Sequence, residues 1–143
     1  MKIIIGSDHG GYDLKTAVIA HLQEKGYEVE DKGCYNKQSC DYPEFGRAVA
    51  KAVAAGEGDR GIVICTTGIG ISIVANKVRG IRAALCTDVT SAFLTRSHND
   101  ANVLAMGAGL IGENVAMDIV DTFLNTEFSG LEKHARRIAA IEE

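Results

Sequence analysis

The chain has 143 residues with a formal charge of −4, 46% hydrophobic and 24% charged, which fits one ordinary folded domain and leaves no room for a second core. That charge provides no broad basic field for nucleic acid, so any phosphate has to be gripped locally. The opening MKIIIGSDHGG contains only a three-residue apolar run, and no stretch approaches the roughly 20 apolar residues of a spanning helix, so a cytoplasmic protein without a membrane partner is expected.

The first apolar run, Lys2 to Ile5, reads as a strand, and Leu14, Ala17, Val18 and Leu22 follow at helical spacing. Gly26 stands where that helix would want a left-handed C-terminal residue. Tyr27 to Asp31 is a second strand. Pro43 suits a first helical turn, and Phe45, Ala48, Val49, Ala52 and Val53 carry the stripe on until Gly56 and Gly58 break it. Gly61 to Cys65, Ile81 to Cys86 and Val103 to Met106 are the remaining strands. Val89, Ala92 and Phe93 give a shorter helix, Val115 to Leu124 a longer one, and Leu131 to Ile141 a terminal one. The stripes read as core-facing surfaces. Strands alternating with helices predict an α/β fold: a single domain over residues 1–143, three layers, a five-stranded parallel sheet and a C-terminal helix.

Ligands of open α/β sheets bind at the carboxyl ends of the strands, which selects three segments. Gly6-Ser7-Asp8-His9-Gly10-Gly11 follows the first strand, and Asp8 and His9 can hold sugar hydroxyls or form a helix-capping turn. Cys65-Thr66-Thr67-Gly68-Ile69-Gly70-Ile71-Ser72 follows the third, and its glycines and hydroxyls at a helix start make an amide nest for an anion or oxyanion. Ile73 replaces the third glycine of a dinucleotide fingerprint and no Gly-Lys-Ser/Thr ending occurs, so nicotinamide and ATP both lose support. Cys65 at the mouth of the nest is the thiol that helix-end amides would favour as thiolate. Cys34, Cys40 and Cys86 read as structural or incidental. No C-x-x-C spacing or paired histidine suggests zinc. Ser97-His98-Asn99-Asp100 offers a proton-transfer histidine and an oxyanion donor, or a capping turn. Lys133 and Arg137, four apart on the terminal helix, form either a phosphate clamp or a solvated basic face.

The ordered set K-I-I-I-G-S-D-H-G-G, D-Y-P (Asp41 to Pro43), C-T-T-G-I-G (Cys65 to Gly70), A-N-K (Ala75 to Lys77), G-I-R-A-A (Gly80 to Ala84) and H-N-D-A-N-V (His98 to Val103), closed by the basic cluster, resembles the ribose-5-phosphate isomerase B family over nearly the whole chain. That family also includes galactose-6-phosphate and allose-6-phosphate isomerases. The resemblance implies a Rossmann-like fold and an aldose-ketose isomerase of pentose phosphate metabolism that needs no metal or cofactor. It implies Cys65 as the base at C2 and His98 as the ring-opening group, with Thr67 helping protons between O1 and O2. Asn99 and the amides of Thr66, Thr67, Gly68, Ile69 and Gly70 would stabilise the enediolate, Asp8 and His9 would hold the sugar, and Lys133 and Arg137 the phosphate. It also implies a homodimer or homotetramer with sites completed by the neighbouring subunit. Departures from the family pattern are Thr66 for a common Gly, Gly109 for a phosphate-binding Arg, Lys133 for Arg, and one extra residue near Gly130-Leu131-Glu132. The alternatives are a 6-phosphohexose isomerase and a non-catalytic sugar-phosphate-binding module.

Overall fold

In the computed structural model, which describes residues 1–143, the strands β1 (Lys2–Ser7), β2 (Glu28–Asp31), β3 (Arg60–Cys65), β4 (Ala83–Leu85) and β5 (Val103–Gly107) form one parallel sheet in the order β2-β1-β3-β5-β4. The helices are α1 (Tyr12–Glu24), α2 (Tyr42–Ala54), α3 (Ile69–Asn76), α4 (Val89–Asn99), α5 (Glu113–Asn125) and α6 (Glu132–Ile141), with a 3₁₀ turn at His9–Gly11. β1 and β3 are apolar at nearly every position because both of their faces are covered. Ile3, Ile5, Ile62, Ile64, Leu104 and Met106 pack under Leu14, Val18, Ile119 and Phe123 of α1 and α5. The alternate residues Ile4, Val63, Cys65, Val103 and Ala105 pack against Val49, Val53, Ile71 and Ala75 of α2 and α3. Full burial of each large aliphatic or aromatic side chain in these layers contributes about 1.5–3 kcal/mol.

Gly26 adopts φ +88, as its position after α1 suggested. Pro43 lies in the first turn of α2, where its missing N–H costs no hydrogen bond. Three expectations need correction. The fourth strand covers only Ala83–Leu85, because it is an edge strand paired to β5 alone, and Ile81 is turned back by its N–H donating to Val78 O. In α4, Val89 and Phe93 are exposed while Ala92 and Arg96 face inward. Arg96 is satisfied by Asp100 at 2.7 Å and the carbonyls of Ala101 and Thr126, so a buried cation takes the place the apolar stripe had assigned to Phe93. Val115 of α5 is exposed as well.

Candidate active site

β1 and β3 lie side by side with Ser7 opposite Ile64, and between them the chain order turns: β2 lies outside β1, and β5 and β4 lie beyond β3. Such a switch point leaves a crevice at the strands' carboxyl ends. A pocket of about 400 Å³ opens there, lined by Asp8, Tyr42, Cys65, Thr66, Thr67, Ile69 and Gly70. Its floor is the turn joining β3 to α3. Ala108 N–H donates to Cys65 O at 2.9 Å and Gly109 N–H to Thr66 O at 2.8 Å, pinning the turn to the end of β5. A side chain at Gly107 would stand 2.4 Å from Thr67 O, so only glycine permits this approach. Gly68 closes the turn at φ +75, and its N–H donates to Cys65 Sγ at 3.1 Å. Ile69 N–H donates to Thr67 Oγ1 at 3.2 Å. The amides of Thr66, Thr67 and Gly70 meet no carbonyl of the chain and remain available to an anionic ligand.

Cys65 is 5% exposed, facing the pocket from the last position of its strand. Burial pushes the Cys86 thiol up despite a bond from Ser91, and burial also raises Cys40, against an opposing bond with His9. A raised value keeps both protonated at neutrality and removes them as bases.

Asp8 takes the capping role that the sequence offered and also stands at the pocket wall. One carboxylate oxygen caps the 3₁₀ turn by accepting from Gly11 N–H at 3.1 Å, while the residue also lines the pocket. His9 Nδ1 accepts from Cys40 N–H at 3.2 Å, which in the neutral ring leaves the proton on Nε2 as a free donor. The segment carrying Cys40 is anchored from below. Lys15, 1% exposed, donates to both oxygens of Asp31 at 2.8 and 3.0 Å and to Cys34 O, beneath the rings of Tyr12 and Tyr35. Thr66 occupies the space between two glycines: a Cβ on Gly10 would meet its Oγ1 at 2.2 Å, and one on Gly109 its Cγ2 at 2.9 Å. Tyr42, which sequence reasoning passed over, packs on Gly70 so closely that a Cβ there would lie 2.7 Å from its hydroxyl oxygen. Its signal was its place at the start of α2, directly before Pro43.

The remaining candidates lie elsewhere. His98 and Asn99 end α4, ahead of β5, whose Val103 is level with Gly61 and whose Gly107 is level with Cys65. At about 3.3 Å per residue, roughly 13 Å of strand separates them from the thiol within one chain. They are exposed there beside α6, with Lys133 and Arg137 also exposed. Arg136 pairs with Glu132 at 3.0 Å, whereas Lys133 and Arg137 have no acidic partner. The candidates therefore fall into two groups, a thiol-and-amide group and a histidine-and-cation group, toward opposite ends of the sheet. A larger concavity of about 570 Å³ opens near the second, between Lys77, Arg79, Arg82, Asn99 and Ile141. Arg82 there is already neutralised by Glu142 at 2.7 Å and bonded to the carbonyls of Asn99 and Asp100, and of the two hollows the smaller is the one lined by a thiol. Nowhere do three or more His, Cys, Asp or Glu side chains converge as metal ligands, and no helix is long and apolar enough to cross a membrane.

An α/β sheet with a thiol in an amide-rich turn at its switch point places the chain among α/β proteins with a small-molecule site at the carboxyl ends of their strands. The chain matches the ribose/galactose isomerase family over residues 3–141, and it belongs to that family. It is 50% identical to ribose-5-phosphate isomerase B of Escherichia coli strain K12, over 98% of this chain and 93% of that protein. A galactose-6-phosphate isomerase subunit of Clostridium acetobutylicum is 41% identical, over 100% of this chain and 83% of the relative. Among solved structures, ribose-5-phosphate isomerase B of Clostridium thermocellum superposes with a TM-score of 0.98 at 57% identity, covering 99% of this chain and 95% of the other.

Proposed function

We propose that this protein interconverts ribose 5-phosphate and ribulose 5-phosphate through an enediolate, as a cytoplasmic homo-oligomer with shared sites. The observation that carries it is the Gly68 N–H donating to Cys65 Sγ inside the pocket that also holds Asp8 and the free amides of the turn. Cys65 as thiolate takes the proton from C2 of the open-chain aldose. The C2–H electron pair forms the C1–C2 double bond, and charge moves onto O1 as it develops into an enediolate oxygen. The amides of Thr66, Thr67 and Gly70 receive that charge. The Cys65 thiol then returns its proton to C1, while the Thr67 hydroxyl shuttles the O2 proton to O1, leaving a ketone at C2. Asp8 and His9 hold the hydroxyls of the sugar. His98 opens the furanose, Asn99 donates to the enediolate, and Lys133 and Arg137 hold the phosphate.

The histidine-and-cation group reaches the thiol from a second subunit, a reading supported by the length of strand that lies between the two groups in one chain. An apolar margin along the β4 edge supports such assembly: Ile69 and Ile73 of α3, Leu85, and Val89 and Phe93 of α4 are all exposed. A 6-phosphohexose is the second reading, because Gly109 presents no cation and Thr66 fills the adjoining space. Turnover of ribose 5-phosphate, allose 6-phosphate and galactose 6-phosphate, measured side by side with a metal chelator present, separates them. Preference for ribose 5-phosphate by at least about tenfold in kcat/KM supports the pentose reading. Preference for either hexose overturns it, and absence of turnover on all three leaves a binding module.

A further inference from the structure

The segment between α5 and α6 builds a small scaffold around one imidazole. Ser129 N–H donates to Ser97 O at 3.0 Å, fastening the segment to the end of α4. Leu131 N–H donates to Ser129 Oγ at 3.1 Å, and the same Oγ lies 2.7 Å from His134 Nδ1. His134 is buried, with Phe128 on one side at 6.5 Å between ring centroids and the exposed His98 stacked on it at 4.4 Å, 34° from parallel. The His98 imidazole makes no side-chain hydrogen bond within the chain, and the His134 ring is the aromatic surface against which it rests.

We propose that His134 is a positioning residue for His98: Ser129 clamps the buried ring, and that ring holds the exposed imidazole at the angle from which it serves the neighbouring subunit's pocket. The inference rests on the reading of His98 as the ring-opening group. Ser129 Oγ accepts from Leu131 N–H and shares one hydrogen with His134 Nδ1, so that either neutral tautomer of the buried ring is held by the same contact. The charged and titratable groups that face His134 are His98 from α4 and Lys133 and Arg137 from its own helix, since Glu132 is turned to Arg136. Burial first, then these neighbours, lowers its proton affinity below the ordinary histidine value. A neutral ring can lie face to face with His98 in either of that residue's charge states without repelling it.

A double-mutant cycle on the intact protein tests this. His134→Ala should lower kcat about tenfold while leaving KM and the inhibition constant of inorganic phosphate within about twofold, because what is lost is orientation and not phosphate binding. His134→Phe keeps a flat ring against His98 and should recover most of the loss. In a His98→Ala background, His134→Ala should cost less than about twofold more, since residues acting as a unit are not additive. Independent losses that multiply, or a KM effect with kcat unchanged, overturn the proposal. Near-normal turnover in His98→Ala alone overturns the reading of His98 instead. Should His134→Ala fail to fold, imidazole ¹⁵N spectra of the wild-type protein decide: a single neutral tautomer at His134 at neutral pH supports the clamp, and a mixture of tautomers or an imidazolium refutes it.

Discussion

Replacing Lys15 by Met keeps the aliphatic stem in place and removes only the ammonium, which makes it a clean probe of the anchor beneath the site. The group lost is 1% exposed and makes three hydrogen bonds, two to Asp31 and one to Cys34 O. Breaking a fully buried pair costs about 3–5 kcal/mol. Asp31 is 32% exposed and keeps a bond from Gly33 N–H at 2.8 Å, so water and that amide recover part of its solvation, and we expect a loss of about 2–3 kcal/mol. For a chain of this size that lowers Tm by about 6–10 °C at fixed protein concentration. Adding Asp31→Asn removes the stranded charge and should restore about half of the loss. The same segment carries Cys40, whose N–H orients His9, so KM for the sugar phosphate should rise severalfold in the single variant. Thermal melts of both variants beside the wild type read the effect. A shift of Tm below about 2 °C, or a double variant worse than Lys15→Met alone, refutes the reasoning.

Three further outcomes follow from the geometry. Gly68→Ala places a Cβ 2.6 Å from Leu85 Cδ1 and 2.7 Å from the Met106 carbonyl carbon at φ +75, and should cost about 2–4 kcal/mol in stability and more than tenfold in turnover, read by melting and by rate assay. Mixing Cys65→Ala with His98→Ala protein under conditions of subunit exchange should return activity to about a quarter of the wild-type value, since half of the dimers are hybrids with one intact site; absence of any recovery would place both residues in the same subunit's site. Because the His134 proton affinity is lowered in the fold, the unfolded chain binds that proton more readily, so stability is flat above about pH 6.5 and falls as pH drops through it. His134→Phe should flatten that part of the slope in denaturant midpoints measured across pH 5–7.5.

Much of this was legible in the sequence because local chemistry and periodicity are local facts. The run Ile3 to Ile5 read as a strand, and Cys65 before Thr66-Thr67-Gly68 put a thiol beside an amide-rich turn on sequence grounds alone. Asp8 could not be resolved between cap and pocket wall because one residue serves as both. Spacing does not say at which end of a sheet a helix terminates, so His98 and Asn99 read as neighbours of Cys65 although parallel register sets them a strand's length away. Nor does helical period distinguish a core stripe from an outward apolar face, which is how Val89 and Phe93 were misplaced. His134 sat unnoticed inside a basic cluster because its partners, Ser129 and His98, converge only when α6 packs on α4.

The central claim is that the Cys65 sulfur moves the C2 proton, and hydrogen exchange reports that step without requiring net conversion. Ribose 5-phosphate incubated in D₂O with the wild-type protein should exchange its C2 hydrogen for deuterium, visible as loss of that proton's NMR signal, while Cys65→Ala at the same concentration should show no loss beyond the protein-free control even though it still binds the sugar. Exchange by Cys65→Ala at a rate near that of the wild type would contradict the account.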